Sequence, residues 1–328
     1  MAGDRDLAVS FATAWATRGN RRLTGWDVTA ATGVRGLRLL HESGAFDSFL
    51  LTEANDLAAA VLATNAARYP GASTVRHDGR SPPAFSAFDY VDVDPYGSPI
   101  PFVAAALAAL RPGGVLAVTA TDMMVLAGVQ RGACERRYGA RPIRGRLGPE
   151  GGLRILLAYL ARAARARDLS VRPRLSYVRD HHVRAYVTVD RSGSVDSDPV
   201  RTIELADWTG PALGGSGPWG PLWVGPLFDR EVVEAMRAPA DAATPRPTAR
   251  FLDRVRDEAT ADVPFYFEAN RLAAELALRT PPALSDLVPA LRTLGFRAAR
   301  TQARPEGFRT DAPRSVVAEV ARGLDPSS

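Results

Sequence analysis

Phe88-Asp89-Tyr90-Val91-Asp92-Val93-Asp94-Pro95-Tyr96-Gly97-Ser98-Pro99 is the stretch from which the rest of the chain can be read. Its valines and aromatic residues suit a pleated, buried strand, predicted over residues 90–94. Pro95 removes a ladder donor and Gly97 admits turn dihedrals, so the strand ends in an exposed turn. Asp94 and Tyr96 then stand beyond the carboxyl end of a strand, where α/β sheets bind ligands. An acid, a proline and an aromatic there suit chemistry on the exocyclic amine of a nucleobase. The ring stacks on the base, while the Asp94 carboxylate and the Pro95 carbonyl accept hydrogen bonds from the amine. Taken alone, Asp94 and Pro95 read as an ordinary strand-capping turn. The rest of the chain decides otherwise.

Outward from this strand, strand and helix signals alternate. Further strands are predicted at residues 26–28, 48–53, 74–76 and 115–119. Helices are predicted from Leu37 onward, at 57–68 and at 102–110. This alternation predicts an α/β fold with a mostly parallel sheet covered on both faces. An Ala/Leu/Arg helix follows at 153–167. Two strands come next, 172–178 and 183–189, joined through Arg179-Asp180-His181-His182. Residues 190–199 have linker composition, which predicts one domain over 1–190 and a smaller α+β domain over 200–328. In the latter, a Gly/Pro/Trp-rich segment (208–228) precedes helical patterns at 230–237, 263–279, 284–294 and 315–322, with a strand at 296–301.

The 328 residues carry a net charge of +5, and all 41 basic residues are arginine. Such a balance is compatible with a nucleic-acid partner, although a solvated surface accounts for it equally well. No apolar run approaches membrane-spanning length, so no membrane association is expected. No charged-then-apolar leader opens the chain, and the cytoplasm is the expected compartment. A single cysteine, Cys134, excludes an internal disulfide and a multi-cysteine zinc site, and reads as a small buried hydrophobe.

The glycine loop Thr32-Gly33-Val34-Arg35-Gly36 follows the first strand. It is neither a full dinucleotide fingerprint nor a phosphate loop, yet Gly33 lets a ligand approach the backbone. Glu53 ends the second strand, placed to accept the hydroxyls of a ribose. Asp78 follows the third, where it can accept from an adenine amine. Each acid alone reads as a strand-end or capping residue. Together, three acids closing successive strands beside a glycine loop form the pattern of class I, seven-stranded, Rossmann-like S-adenosyl-L-methionine-dependent methyltransferases.

A narrower resemblance follows. Arg5-Asp6-Leu7, Asp27 through Arg38, Asp92 through Pro99 and Thr119-Ala120-Thr121-Asp122 resemble the tRNA (guanine-26-N2)-dimethyltransferase family. So do Cys134 through Ala140, Gly152 through Leu156, and Asp180-His181-His182-Val183-Arg184. In the second half, Gly220 through Leu227, Arg300-Thr301-Gln302 and Arg309 through Pro313 match as well. The resemblance implies that Arg5 and Arg35 hold the methionyl carboxylate of S-adenosyl-L-methionine, Glu53 the ribose, and Asp78 with Gly79 the adenine. It implies Asp94 as the catalytic acceptor beside the Pro95 carbonyl, Tyr96 stacking on the target guanine, tRNA as substrate, and no protein partner.

The chain departs from the family pattern at several points. Only four residues precede Arg5, where the family carries a Phe-Tyr-Asn-Pro-like segment with an aromatic that sandwiches the guanine. Tyr96 replaces Phe and keeps the stacking face. Glu53 replaces Asp, and Gln302 replaces His. Residues 203–219 contain no cysteine where many members hold zinc, so no metal is expected. His181-His182 reads as a turn, not a metal site. Trp208, Trp219 and Trp223 read first as core. Arg137, Arg141, Arg144 and Arg146 read equally as solvated surface or as phosphate contacts. Two alternatives stay open: methylation of another guanine amine in tRNA or ribosomal RNA, and a catalytically impaired RNA-binding relative.

Overall fold

A computed structural model describes residues 2–19, 21–84, 87–191, 199–214 and 216–325. The first half contains α1 (Ala2–Ala16), β1 (Leu23–Asp27), α2 (Val34–Glu42), β2 (Phe46–Glu53), α3 (Asp56–Ala66) and β3 (Ala72–Arg76). It continues with β4 (Phe88–Val93), α4 (Ile100–Ala109), β5 (Leu110–Ala120), α5 (Met123–Leu126), α6 (Arg131–Tyr138), α7 (Gly148–Arg165), β6 (Leu169–Arg179) and β7 (His182–Arg191). The seven strands form one sheet in the order β3-β2-β1-β4-β5-β7-β6. All pairs are parallel except those made by β7. The strand order reverses between β1 and β4, and that switch point opens a crevice at their carboxyl ends.

Every residue of β4 is buried, which explains its dense run of Val and aromatic residues. Its acids survive burial because each has a cation. Asp89 pairs with Arg21 and Arg111, and Asp92 with Arg184. Helix α1 gave no sequence signal because almost no polar face remains: Leu7 through Ala12 are all buried.

The second half adds β8 (Val200–Ile203), β9 (Trp219–Trp223), α8 (Arg230–Ala235), α9 (Pro245–Glu258), β10 (Phe267–Glu268), α10 (Ala269–Leu276), α11 (Leu284–Thr293), β11 (Ala298–Arg300), β12 (Gly307–Thr310) and α12 (Arg314–Gly323). Strands β10, β12 and β11 make a small antiparallel sheet. The helix predicted at 263–279 shrinks to α10. Pro264 disfavours helix in the residue before it, Phe265 takes φ +61°, and β10 pairs with β12. Helix α9 escaped notice because Pro245 and Pro247 crowd its start, yet proline is tolerated in a first helical turn.

Asp190 and Arg191 of the predicted linker close β7, and residues 192–198 lie outside the described residues. The main apolar core runs from Leu7 to Tyr266, and a second one, around Leu287, Leu291 and Phe308, begins at Phe267. Trp219 and Trp223 are core residues whose indole N–H groups donate to the Gly214 and Pro226 carbonyls.

Candidate active site

Apart from Arg5 on α1, the residues predicted to act stand at or just beyond the carboxyl ends of β1 to β4. Glu53 closes β2, where its Oε2 accepts from the Ala31 amide and its Oε1 from the Asn55 amide, both at 2.9 Å. The loop after β1 thus sets the direction of this carboxylate, and each oxygen keeps a lone pair for a ligand hydroxyl. Asp78 is exposed and accepts from the Arg80 amide at 2.9 Å. Gly79 adopts φ +73°, and a Cβ there would fall 2.5 Å from Val28 Cγ1, so only glycine brings this turn against the β1 loop. Gly33 caps α2 with φ +85°.

Asp94 and Arg35 are joined by a direct ion pair. Asp94 follows the last residue of β4, two positions after Asp92, and Arg35 reaches both, its Nε lying 4.0 Å from Asp92 Oδ1. Asp92 is held in turn by fully buried Arg184 at 2.6 Å and by the Tyr90 hydroxyl at 2.9 Å. Arg184 also donates to Thr119 Oγ1 at 2.6 Å, linking β7 through β5 to β4. Burial works to raise the Asp94 carboxyl, but the Arg35 and Arg184 charges outweigh it and hold it below the usual carboxylate range. Asp27, at the end of β1 opposite Asp92, has the reverse fate. Burial, together with the charge on Asp92, pushes its carboxyl up to about 8.

Beyond Asp94, the buried Pro95 turns the chain outward and Tyr96 is 97 % exposed. The turn is pinned by Gly97, whose amide donates to Thr121 Oγ1 at 2.6 Å and whose carbonyl accepts from the Thr121 amide. Ser98, Tyr138 and Asp122 continue the network, the tyrosine hydroxyl lying 3.0 Å from Ser98 Oγ and donating to Asp122 at 2.9 Å.

The ion pairs bring Arg35 and Asp94 together, and the β1 loop joins Glu53 and Gly79 to the same rim. Arg5, in the first turn of α1, makes no hydrogen bond or ion pair with another described residue. Asp27, Asp92 and Arg184 were missed as site residues. Asp27 closes β1 as Glu53 closes β2, and the alternation of Asp92 with Asp94 was visible, but only the fold brings Arg184 to them.

The donor set fits S-adenosyl-L-methionine. Arg5 Nε and Arg35 Nη1 are buried N–H groups without an acceptor, suited to a carboxylate, and Glu53 and Asp78 supply acceptors for hydroxyls and an amine. Among the described residues, no group of three or more His, Cys, Asp or Glu side chains is arranged to hold a metal. None of their helices is long and apolar enough to cross a membrane.

The sheet order and its acid-lined crevice define a class I S-adenosyl-L-methionine-dependent methyltransferase. The profile of the N2,N2-dimethylguanosine tRNA methyltransferases matches residues 1–204 and 214–322, and the chain belongs to that family. It is 36% identical to the tRNA (guanine(26)-N(2))-dimethyltransferase of Thermococcus kodakarensis, over 91% of this chain and 86% of that protein. The enzyme of the same name from Aeropyrum pernix is 34% identical over 100% of this chain and 89% of its own length. The structure of Trm1 from Pyrococcus horikoshii with S-adenosyl-L-methionine superposes with a TM-score of 0.83 at 28% identity, covering 98% of this chain and 92% of that one.

Proposed function

We propose that this chain transfers methyl groups from S-adenosyl-L-methionine to the N2 amine of guanine 26 in tRNA, giving N2-methyl- and N2,N2-dimethylguanosine. The observation that carries this reading is Asp94, held by its ion pair with Arg35 at the switch point, one proline before a fully presented aromatic ring. When bound, the cofactor supplies an electrophilic sulfonium methyl. Arg5 and Arg35 take its carboxylate, Glu53 its ribose, and Asp78 with the Gly79 backbone its adenine. Tyr96 stacks on the guanine. Asp94 and the Pro95 carbonyl accept from the amine hydrogens and aim its lone pair, and Asp94 receives the released proton. Alignment and charge complementarity supply the rate, with no covalent intermediate on the protein.

Residues 1–190 carry the transfer on this reading, and residues 200–328 hold the tRNA, in the cytoplasm. Exposed Arg144 and its neighbours Arg137 and Arg141 supply phosphate contacts. Arg146 is less available, being paired with Glu268 at 3.2 Å. Unmodified tRNA transcripts incubated with the protein and cofactor, then mapped by mass spectrometry, test the assignment. Methyl groups on another nucleotide, or none, would exclude it.

A further inference from the structure

Arg5 is a half-buried cation between two acids, yet it is bonded to neither. Successive side chains leave a helix about 100° apart, so Asp4 and Asp6 project to either side of Arg5. Both carboxylates are buried, at 2 % and 0 % exposure. Each is engaged by a different part of the molecule. On one side, the β6–β7 hairpin converges on Asp4. His182 Nε2 lies 3.1 Å from Oδ1, the Tyr177 hydroxyl donates at 3.3 Å, and an Arg179 nitrogen is 3.8 Å away. The fit is close, because a Cβ on Gly3 would stand 2.6 Å from the Arg179 guanidinium.

On the other side, Asp6 receives the start of α9. The Ala243 and Thr244 amides donate to it at 3.0 and 2.8 Å, and the Thr244 and Thr248 hydroxyls at 2.8 and 3.2 Å. Arg38, one turn beyond Arg35 on α2, adds an ion pair at 2.9 Å. The hairpin end lies at the carboxyl end of the sheet, since Val183 pairs with Ala120 at the close of β5. The first turn of α1 is therefore bolted to the rim that carries Asp94. With Asp4 Oδ1 and both oxygens of Asp6 engaged by other elements, the Arg5 guanidinium is left for an anion, its Nε buried and without an acceptor.

We infer that Asp4 and Asp6 are positioning residues that aim Arg5 at the cofactor carboxylate, and that Thr244 and Thr248 extend this control into the second half of the chain. The inference rests on the reading of Arg5 as a carboxylate ligand. It gives a role to His182 and to the start of α9 that neither a turn nor a helix cap requires.

The test compares calorimetric affinities for S-adenosyl-L-homocysteine, which carries the carboxylate, and methylthioadenosine, which lacks it. Arg5→Ala should weaken the first about tenfold or more and leave the second unchanged, as expected for one charge-assisted hydrogen-bonded contact. Asp6→Asn and the double variant Thr244→Val/Thr248→Val should reproduce that selective loss, by roughly threefold or more, while Thr244→Ser/Thr248→Ser retains wild-type affinity. Equal loss for both ligands, or no loss in either positioning variant, overturns the inference and leaves Arg5 intact. Wild-type affinity in Arg5→Ala overturns the reading of Arg5 itself. Melting curves of the threonine variant, which keeps every backbone donor to Asp6, confirm that a folded protein is compared.

Discussion

At the scale of single residues, chemistry at the rim turns on how charges are shared. Arg35 pairs with Asp94 and keeps a second, buried N–H without an acceptor. On the proposed assignment, Asp94→Asn removes the acceptor for the guanine amine and places a donor against its hydrogens. Methyl transfer to unmodified tRNA should fall about a hundred- to a thousandfold, as when other preorganised polar groups are removed. Cofactor affinity should hold within roughly threefold, because the proposed assignment gives the cofactor to Glu53 and the arginines and not to Asp94. Near-normal transfer, or cofactor loss in step with activity, would refute the role. Asp27 supplies a pH test. Its folded-state carboxyl is raised to about 8, so the stability it contributes is complete below the unfolded value near 4 and is lost as pH rises through 8. Asparagine at this position does not titrate. Asp27→Asn should therefore gain on the wild type between pH 4 and 8, by up to about 1.4 kcal/mol per pH unit, in denaturant titrations. A pH-independent difference would show that Asp27 ionises normally.

At the scale of elements, the start of α2 depends on a single backbone conformation. Gly33 caps the helix at φ +85°, and a Cβ there would lie 2.6 Å from Leu62 Cδ1, in a leucine that is itself buried. Strain and clash act together, so Gly33→Ala should cost about 1–3 kcal/mol in chemical denaturation and weaken cofactor binding, since Arg35 rides on that turn. An alanine variant of wild-type stability would mean that α2 shifts freely. Helix α2 was legible because Leu37, Leu39 and Leu40 put its apolar residues on one buried face. Helix α1 was not, for burial on nearly every side erases the polar stripe that marks an amphipathic helix. Strand β12 was also unread, because its Gly307-Phe308-Arg309-Thr310 buries even its arginine, which a sequence reading assigns to solvent.

Across the whole molecule, that arginine joins the two halves. Arg309 is fully buried, 2.9 Å from Glu150 on α7 and 2.5 Å from Glu258 on α9, while Arg154 shares Glu150 at 2.7 Å. Glu258 also accepts from the Thr301 hydroxyl and the Gln302 amide. Removing one partner of a buried ionic cluster strands the others, so Arg309→Met should destabilise the protein by about 3–5 kcal/mol. Adding Glu258→Gln should recover part of the loss, because a neutral amide replaces the stranded charge. Urea midpoints of the two variants decide it. A single variant as stable as the wild type would show that the halves do not depend on this cluster.

The alternating strands and helices, the turn at Asp94-Pro95-Tyr96-Gly97, and the acids Glu53 and Asp78 near their strand ends are legible in the order of residues. These features are local. Each follows from residue type and from spacing within one element, and α/β sheets place strand ends on a common rim. Which charges meet depends on the folded arrangement. Arg35 reaches both Asp92 and Asp94 because α2 follows β1, which pairs with β4, and Arg184 reaches Asp92 across an intervening strand. Asp4 and Asp6 look alike in sequence, yet one is taken by a hairpin more than 170 residues away and the other by a helix start nearly 240 residues away. Ion pairs and buried donors depend on distance and solvent exclusion, and neither exists until the chain has folded.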